Sequence, residues 1–232
     1  MVKTMDTLLQ QYLSQLKSSV NEMAGLVEET IVISTKALAR KEKESLKRVF
    51  ELEDQINEFH KKIDRDCFKL LARQSPVASD LRLLIVSTKM SVDLERMGDL
   101  ACSISHCISE YLKFQPVPLA NEIPKMADLV RLMVRQGLDS FLQNNEAGAF
   151  EVLKMDDKVD EYRDEMSEKI RKSLRESNHN LDAQLELYTI VRNLERIGDH
   201  ATNIAEEAIF LISGEDVRHK KTEFNNKIPG RV

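Results

Sequence analysis

Two pairs of acidic residues have types and a spacing that could carry chemistry. A glutamate and an aspartate stand four residues apart at Glu95 and Asp99, and again at Glu195 and Asp199. Side chains at this spacing share one helix face, so each pair brings two carboxylates together. Their repulsion is about 0.2 to 0.5 kcal/mol per pair in water, which a nearby arginine or a bound cation offsets. Each pair is therefore a candidate ligand site.

Further oxygen donors are predicted to join each pair from the preceding helix. An antiparallel hairpin through the ESNHN turn places the acidic stretch 157–164 beside Glu195, and the corresponding hairpin places Asp54 beside Glu95. Carboxylate and amide oxygens without thiolates suit Mg, Mn, Ca or Fe ions and do not suit structural zinc. The predicted metal ligands are Glu95, Asp99, Glu195, Asp199, Asp54, Asp157, Asp160, Asn203 and Glu206.

Other interpretations of these acidic residues stay open. Relative to the apolar stripe both pairs lie on the outer helix face, which also fits a solvated surface with Arg96 and Arg196 as counter-ions. A ferritin-like di-iron core needs inward Glu-x-x-His pairs, and Glu176 with His179 is the one such spacing. The sequence contains no Gly-rich phosphate loop, no H-E-x-x-H spacing and no recognisable catalytic signature at Ser or Cys. Catalysis therefore has no support in the residues.

The acidic pairs belong to an internal repeat. DLERMGDLACSI at 93–104 aligns with NLERIGDHATNI at 193–204, with an offset of 100 residues and seven of twelve positions identical. The preceding helices align at an offset of 103. Gly98 and Gly198 lie inside the pairs, although a mid-helix glycine costs roughly 0.5 to 1 kcal/mol relative to alanine. A close approach of another helix, or of a ligand, is expected there, and the repeat predicts two copies of one structural unit.

The elements that position these residues are predicted to be helices. Apolar residues recur at alternating steps of three and four, which is the helical period. Gly and Pro number only 7 and 5 of 232 residues, and breakers near residues 76, 116–124, 144 and 178 separate the stripes. The predicted helices run near 6–39, 43–73, 79–113, 121–143, 146–177 and 181–213.

The chain is accordingly predicted to be all-α, with six helices in two repeated three-helix bundles. The prolines between 116 and 124 separate the bundles, and Gly214 suits a helix C-terminus. The predicted divisions are 1–115 for the first bundle, 116–214 for the second and 215–232 for a C-terminal tail.

Composition limits the classes of function. Lys and Arg total 34 against 39 Asp and Glu, so the net charge of -5 argues against a nucleic-acid partner. No run of 18 apolar residues and no apolar signal core occur, which predicts a cytoplasmic protein. The 3 cysteines lack C-x-x-C spacing and are expected to be reduced thiols. His106 and His200 are interpreted as ordinary surface residues.

The motifs resemble those of the PhoU family, the accessory protein of bacterial phosphate-specific transport. The resemblance rests on DLERMGD and NLERIGDHATNIAEE, with ARQSPVASDLR before the first, GLVEE in the first helix and GEDVRH after the last. It covers the chain from about Asp6 to His219. It implies a six-helix fold of two similar bundles, usually dimeric, with metal clusters on the acidic motifs, here Glu95 with Asp99 and Glu195 with Asp199.

The resemblance also implies a regulatory function. Members are implied to repress the phosphate-starvation (Pho) regulon when phosphate is plentiful, by contacting the sensor histidine kinase PhoR and the ATPase subunit of the phosphate ABC transporter. No catalysis is implied, and the membrane is reached only through these partners. The alternatives are a metal-dependent phosphate-handling enzyme or metal-storage bundle, and a purely structural helical module.

The first copy of the repeat departs from an ideal duplicated site. The departures are Asn57, Ser103 and His106, which stand opposite Asp160, Asn203 and Glu206. The first copy is therefore poorer in acid, and the second bundle is predicted to hold metal more tightly.

Overall fold

A computed structural model describes the backbone of residues 2–74, 76, 78–176 and 180–218. These residues form six long α-helices and no strand, which confirms the all-α prediction. The long helices are α1 (Val2–Arg40), α2 (Lys47–Gln74), α3 (Ala78–Tyr111), α4 (Ile123–Gln143), α5 (Glu146–Glu176) and α6 (Leu181–Ser213). Two short 3-10 helices, Glu44–Leu46 and Pro118–Asn121, precede α2 and α4.

The helix ends follow the predicted breakers. Asn144 ends α4 in the left-handed conformation at φ 52°, and Gly214 ends α6 at φ 77°. Asparagine and glycine adopt this conformation most easily, which is why they terminate helices. The start of α2 comes later than predicted, at Lys47, because the preceding residues form a 3-10 turn. His179 of the Glu-x-x-His spacing lies outside the described residues.

Both repeats contribute to one hydrophobic core. The most extensive helix pairing joins α3 to α6, and α1 also packs on α4, while α2 and α5 pack on the outer sides of their own repeats. Leu94 and Met97 of α3 are fully buried, as are Leu194 and Ile197 of α6. Each such side chain contributes about 1.5 to 3 kcal/mol when removed from water. The predicted division at 115/116 therefore separates two repeats that share a core, and it stays a prediction.

The pairing of α3 with α6 is antiparallel. Lys89 Nζ donates to Glu207 Oε1 at 2.8 Å, and further along the same pair of helices Asn193 Nδ2 donates to Ser103 Oγ at 2.9 Å. Residues advance on one helix as they recede on the other, so the two repeats run in opposite directions along this pairing. The remaining faces of α3 and α6 pack against α2 and α5, respectively.

The first residues after α6 pack on the helices, and the predicted division at 214/215 stays a prediction. Residues 214–218 lie against the protein: Val217 is buried, and Arg218 Nη1 lies 3.7 Å from Glu207 Oε1. The buried side chain of Val217 and the ion pair between Arg218 and the buried Glu207 hold this segment against the helices. Residues from His219 onward lie outside the described part. No described helix is both long enough and apolar enough to cross a lipid bilayer.

Candidate metal centres

The second acidic cluster lies between α5 and α6 and comprises Asp156, Asp160, Glu195 and Asp199. The predicted ligand Asp157 is an exposed residue of α5. Arg163 joins the two helices: its Nη2 donates to Asp160 Oδ1 at 3.1 Å, and its Nη1 lies 3.5 Å from Glu195 Oε1. The hairpin register predicted from the ESNHN turn therefore holds in this repeat.

Glu195 is buried, so the solvated surface that was one of the open interpretations does not describe this residue. Its side chain is only 11% exposed, because α5 covers this face of α6. Glu195 Oε1 accepts a hydrogen bond from Arg192 Nη1 at 3.1 Å, whereas the buried Oε2 has no hydrogen-bond partner. A buried acceptor left unpaired costs roughly 1 to 3 kcal/mol. This oxygen is thus a free ligand position next to other carboxylates.

Asp199 carries uncompensated negative charge. Partial burial, then repulsion from Glu195, Asp156 and Asp160, raises the pKa of its carboxyl to about 6, against a smaller opposing effect of His200. The residue still reaches solvent. No described basic side chain forms an ion pair with it; Arg163 and Arg192 both pair with Glu195 instead. A cation bound here would remove this repulsion.

The first acidic cluster lies between α2 and α3 and comprises Glu53, Asp54, Glu95 and Asp99. Arg96 serves both members of the motif, with Nε 3.6 Å from Glu95 Oε2 and Nη1 3.5 Å from Asp99 Oδ2. Glu95 keeps 21% of its side chain exposed and Asp99 keeps 46%. The motif of the first repeat is therefore closer to a solvated acidic surface, which is one of the interpretations that the sequence leaves open.

The α2 side of the first acidic cluster differs from its α5 counterpart. Asn57 occupies the position of Asp160 and donates from Nδ2 to Glu53 Oε1. Cys102, on the neighbouring turn of α3, has a pKa raised to about 12 by burial and by Glu53, Asp99 and Asp54, which places these carboxylates together. A neutral amide thus stands where the second acidic cluster has the carboxylate of Asp160, and it donates a hydrogen bond to Glu53.

Close helix packing explains the glycine inside each motif. A Cβ added at Gly98 would lie 3.2 Å from Ile56 Cδ1, and one added at Gly198 would lie 3.4 Å from Val159 Cγ1. The approach of another helix, one of the two reasons left open by the sequence, is present at both glycines. Both contacted residues come from the acidic segment of the partner helix, so the glycines bring that segment against the motif.

Two of the predicted ligands turn toward the other repeat. Asn203 Nδ2 donates to Asp93 Oδ1 at 3.0 Å, and the same oxygen lies 2.8 Å from His200 Nδ1. Glu206 lines a groove with Lys89 and Asp93. Both residues thus lie beside α3 of the other repeat, and their assignment as metal ligands stays a prediction. His200 is half-buried at this junction, so its assignment as an ordinary surface residue is wrong.

The carboxylates of each cluster are gathered without converging on a point. Within the part of the chain that the structure describes, no group of three or more His, Cys, Asp or Glu side chains has the geometry of a metal centre. The donor chemistry nevertheless fits a hard cation, and the unpaired Glu195 Oε2 and the raised pKa of Asp199 mark where it would be favoured. Ligand binding by these residues stays a prediction that requires side-chain rotation.

Sequence reasoning missed the arginines that shape the second acidic cluster. Arg163 follows Asp160 by three residues and Arg192 precedes Glu195 by three, which is a spacing that pairs side chains along a helix. That spacing could have identified both. The link between Asp93 and His200 joins residues 107 apart, and no local signal indicates it.

Comparison with known proteins places these features in a family. The family model described as PhoU domain matches twice, at residues 20–108 and 123–208. A curated relative from Pseudomonas putida, named phosphate-specific transport system accessory protein PhoU homolog, is 36% identical over 209 residues, covering 89% of this chain and 81% of that protein. A relative from Thermotoga maritima, named phosphate-specific transport system accessory protein PhoU homolog 1, is 31% identical over 210 residues, covering 89% of this chain and 89% of that protein.

Solved structures share the fold. The crystal structure of PhoU from Pseudomonas aeruginosa superimposes with a TM-score of 0.85 at 33% identity, covering 89% of this chain and 99% of that one. The phosphate transport system regulatory protein PhoU from Streptococcus pneumoniae gives a TM-score of 0.83 at 28% identity, covering 90% and 99%. Both three-helix repeats are therefore present in these relatives.

Proposed function

This chain belongs to the PhoU family, and from that membership we propose that it regulates phosphate uptake as an accessory protein of phosphate-specific transport. The observation that carries the proposal is the match of both repeats, at 20–108 and 123–208, to the PhoU domain. Its relatives are named as accessory or regulatory proteins rather than enzymes. We accordingly take the chain to act without catalysis, as a negative regulator of the phosphate-starvation regulon.

The proposed mode of action is that of a cytoplasmic adaptor. In this proposal the protein, as a homodimer, contacts the sensor histidine kinase PhoR and the ATPase subunit of the phosphate transporter. Support comes from the architecture: a continuous core through α3 and α6 holds two related but chemically different outer faces in a fixed relation. Two such faces suit a protein that must engage two partners.

Metal binding is proposed as part of this regulation. In the second acidic cluster Asp156, Asp160, Glu195 and Asp199 would hold a hard cation, and in the first acidic cluster Asp54, Glu95 and Asp99 would do so. Such an ion supplies positive charge to a carboxylate-rich face. Without the ion, the carboxylates would present a negatively charged surface. With the ion bound, that surface would be less negative, and a partner protein would distinguish the two states by their charge.

A reporter strain tests the proposed function. A host that lacks its own copy of the gene and carries a phosphate-starvation promoter fused to a reporter should regain repression in high phosphate when the wild-type chain is supplied. The double variant Glu195→Gln/Asp199→Asn should repress poorly. Glu165→Gln/Glu168→Gln, which removes two exposed carboxylates from α5, is the charge-matched control and should repress normally. Expressed wild-type chain that leaves the reporter fully active would contradict the proposal.

The enzymatic or metal-storage alternative has weaker support. Among the described residues, the cysteines are half-buried or buried, and burial raises the pKa of Cys67, Cys102 and Cys107, which opposes a thiolate nucleophile. Hydrolysis of phosphate esters by metal-loaded protein, lost in Glu195→Gln/Asp199→Asn, would favour the enzyme. Oxidation and retention of many iron ions per chain would favour storage.

A further inference from the structure

A cavity of about 470 Å³ lies where helix ends from both repeats meet. Its walls come from α1, the first turn of α3, the turn after α4 and the end of α6, and we name it the Arg82 cavity after its central cation. Its volume is in the range of small-molecule sites. None of the residues of the two acidic clusters lines it, so it is a separate feature of the fold.

Two cations in the Arg82 cavity lack acidic partners. Arg82 Nε is buried without a hydrogen-bond partner, and Arg82 forms no ion pair among the described residues. Lys17 is half-buried with its Nζ 5.4 Å from the centre of the Phe141 ring, and burial lowers its pKa. Asp80 also lines the cavity and pairs with neither. Partly desolvated, unpaired cations favour an anionic ligand, notably in a chain whose net charge is -5.

The remaining walls define the kind of anion. The hydroxyls of Ser14 and Ser79 and the amide of Asn144 supply neutral hydrogen-bond donors. Ser79 lies in the first turn of α3, whose free backbone N–H groups add positive potential. Leu83 and Leu211 give the cavity an apolar side. This combination suits a compact, multiply charged oxyanion that carries, or leaves space for, a small apolar group.

We propose that the Arg82 cavity binds a phosphate group, as inorganic phosphate or as the phosphate of a small monoester. The Arg82 guanidinium would donate two parallel hydrogen bonds to phosphate oxygens, and Lys17 would supply the second positive charge. Because α1 and α3 belong to the first repeat and the other walls to the second, the ligand would bridge the repeats. The site is independent of metal binding by the acidic clusters.

Calorimetric titration of the full, chelator-treated chain tests the proposal. Inorganic phosphate should bind wild-type protein at one site per chain. Arg82→Gln should weaken binding by about 10- to 100-fold and Lys17→Gln by about 10-fold, as expected for charge-assisted hydrogen bonds. Arg82→Lys should fall between wild type and Arg82→Gln. Arg40→Gln, an exposed cation at the far end of α1, is the control and should bind normally. Circular dichroism checks that each variant is folded.

Titration with phenyl phosphate distinguishes the two phosphate sources. Tighter binding of the ester means that the apolar side is used, and tighter binding of inorganic phosphate means that the free ion is the ligand. Equal binding to wild type and Arg82→Gln, no binding of either probe at millimolar concentration, or equally tight binding of acetate would overturn the proposal. Phosphate binding that needs metal and ignores Arg82→Gln would assign it to the acidic clusters. None of these failures affects the reporter test of the proposed function, which does not involve this cavity.

Discussion

The first acidic cluster, at α2 and α3, and the second, at α5 and α6, differ in how their carboxylates are neutralised. In the first, Arg96 pairs with both Glu95 and Asp99. In the second, the arginines pair with the glutamate, and Asp199 is left among other acids with its pKa raised to about 6. The same seven-residue motif thus produces two different electrostatic environments.

Residues outside the motif contribute to this difference. Arg163 stands where the first repeat has His60, and Asp160 stands where it has Asn57. These positions belong to the neighbouring helix, whose side chains complete each cluster. A duplicated motif is therefore a poor guide to duplicated function unless its packing partners are duplicated too.

Removal of the motif carboxylates should show the largest contrast between the clusters. We expect Glu195→Gln/Asp199→Asn to weaken Mn²⁺ binding by about 100-fold, since two oxygen ligands are lost from the site with the greater unpaired charge. Glu95→Gln/Asp99→Asn should weaken Mn²⁺ binding by the chain less than Glu195→Gln/Asp199→Asn does. Metal content by mass spectrometry and calorimetric titration measure both. Equal occupancy of the two clusters in anomalous scattering would contradict the ranking.

Overpacking at the motif glycines should destabilise both repeats. Gly98→Val and Gly198→Val place side-chain atoms against Ile56 and Val159, with an expected loss of about 1 to 3 kcal/mol in the free energy of unfolding. The loss should be larger at Gly98, where the clearance is smaller. Urea denaturation gives both values, with Gly25→Val as control because nothing lies near its Cβ position. An unchanged midpoint for Gly98→Val would mean that α2 does not pack as described.

The pH dependence of stability should single out Asp199. Its folded pKa is raised, so the protonated carboxyl stabilises the fold fully below its ordinary pKa, and this contribution is lost as the pH rises through about 6. Without metal, Asp199→Asn should be more stable than wild type at pH 8 by at most about 1 kcal/mol, because solvent screens an exposed carboxylate.

Thermal unfolding at pH 4 and pH 8 measures this difference, which should vanish at the lower pH. Added Mn²⁺ should reverse the sign at pH 8 by stabilising wild type alone. A variant that is less stable than wild type at pH 8 without metal would show that Asp199 is not repelled by its neighbours.

Introducing one residue of the second acidic cluster into the first should change Mn²⁺ affinity and stability least. Asn57→Asp restores in the first acidic cluster the carboxylate that Asp160 supplies in the second. We expect Mn²⁺ affinity of the first cluster to rise by a few-fold and stability without metal to fall by about 0.5 kcal/mol, from the added repulsion beside Glu53. Calorimetry in the Glu195→Gln/Asp199→Asn background isolates the first cluster. No gain in affinity would mean that Asn57 does not account for the difference.

Local chemistry made most of the fold predictable. The three-and-four spacing of apolar residues predicts each long helix, and Asn144 and Gly214 end helices where their left-handed conformations are favoured. The repeat itself, with its acidic pairs and its glycines, is a property of sequence alone. These features depend on residues a few positions apart, so no knowledge of the tertiary structure is needed.

Only the tertiary structure decided how the acidic residues are used. Helical period fixes the face on which Glu195 lies, but α5 determines that this face is buried and that Arg163 reaches it. Asn203 turns to Asp93 because α3 of the other repeat packs beside it, 110 residues away in sequence. The Arg82 cavity likewise forms from helix ends that are distant along the chain. Burial, ion pairing and cavities arise from long-range packing, which a local pattern does not encode.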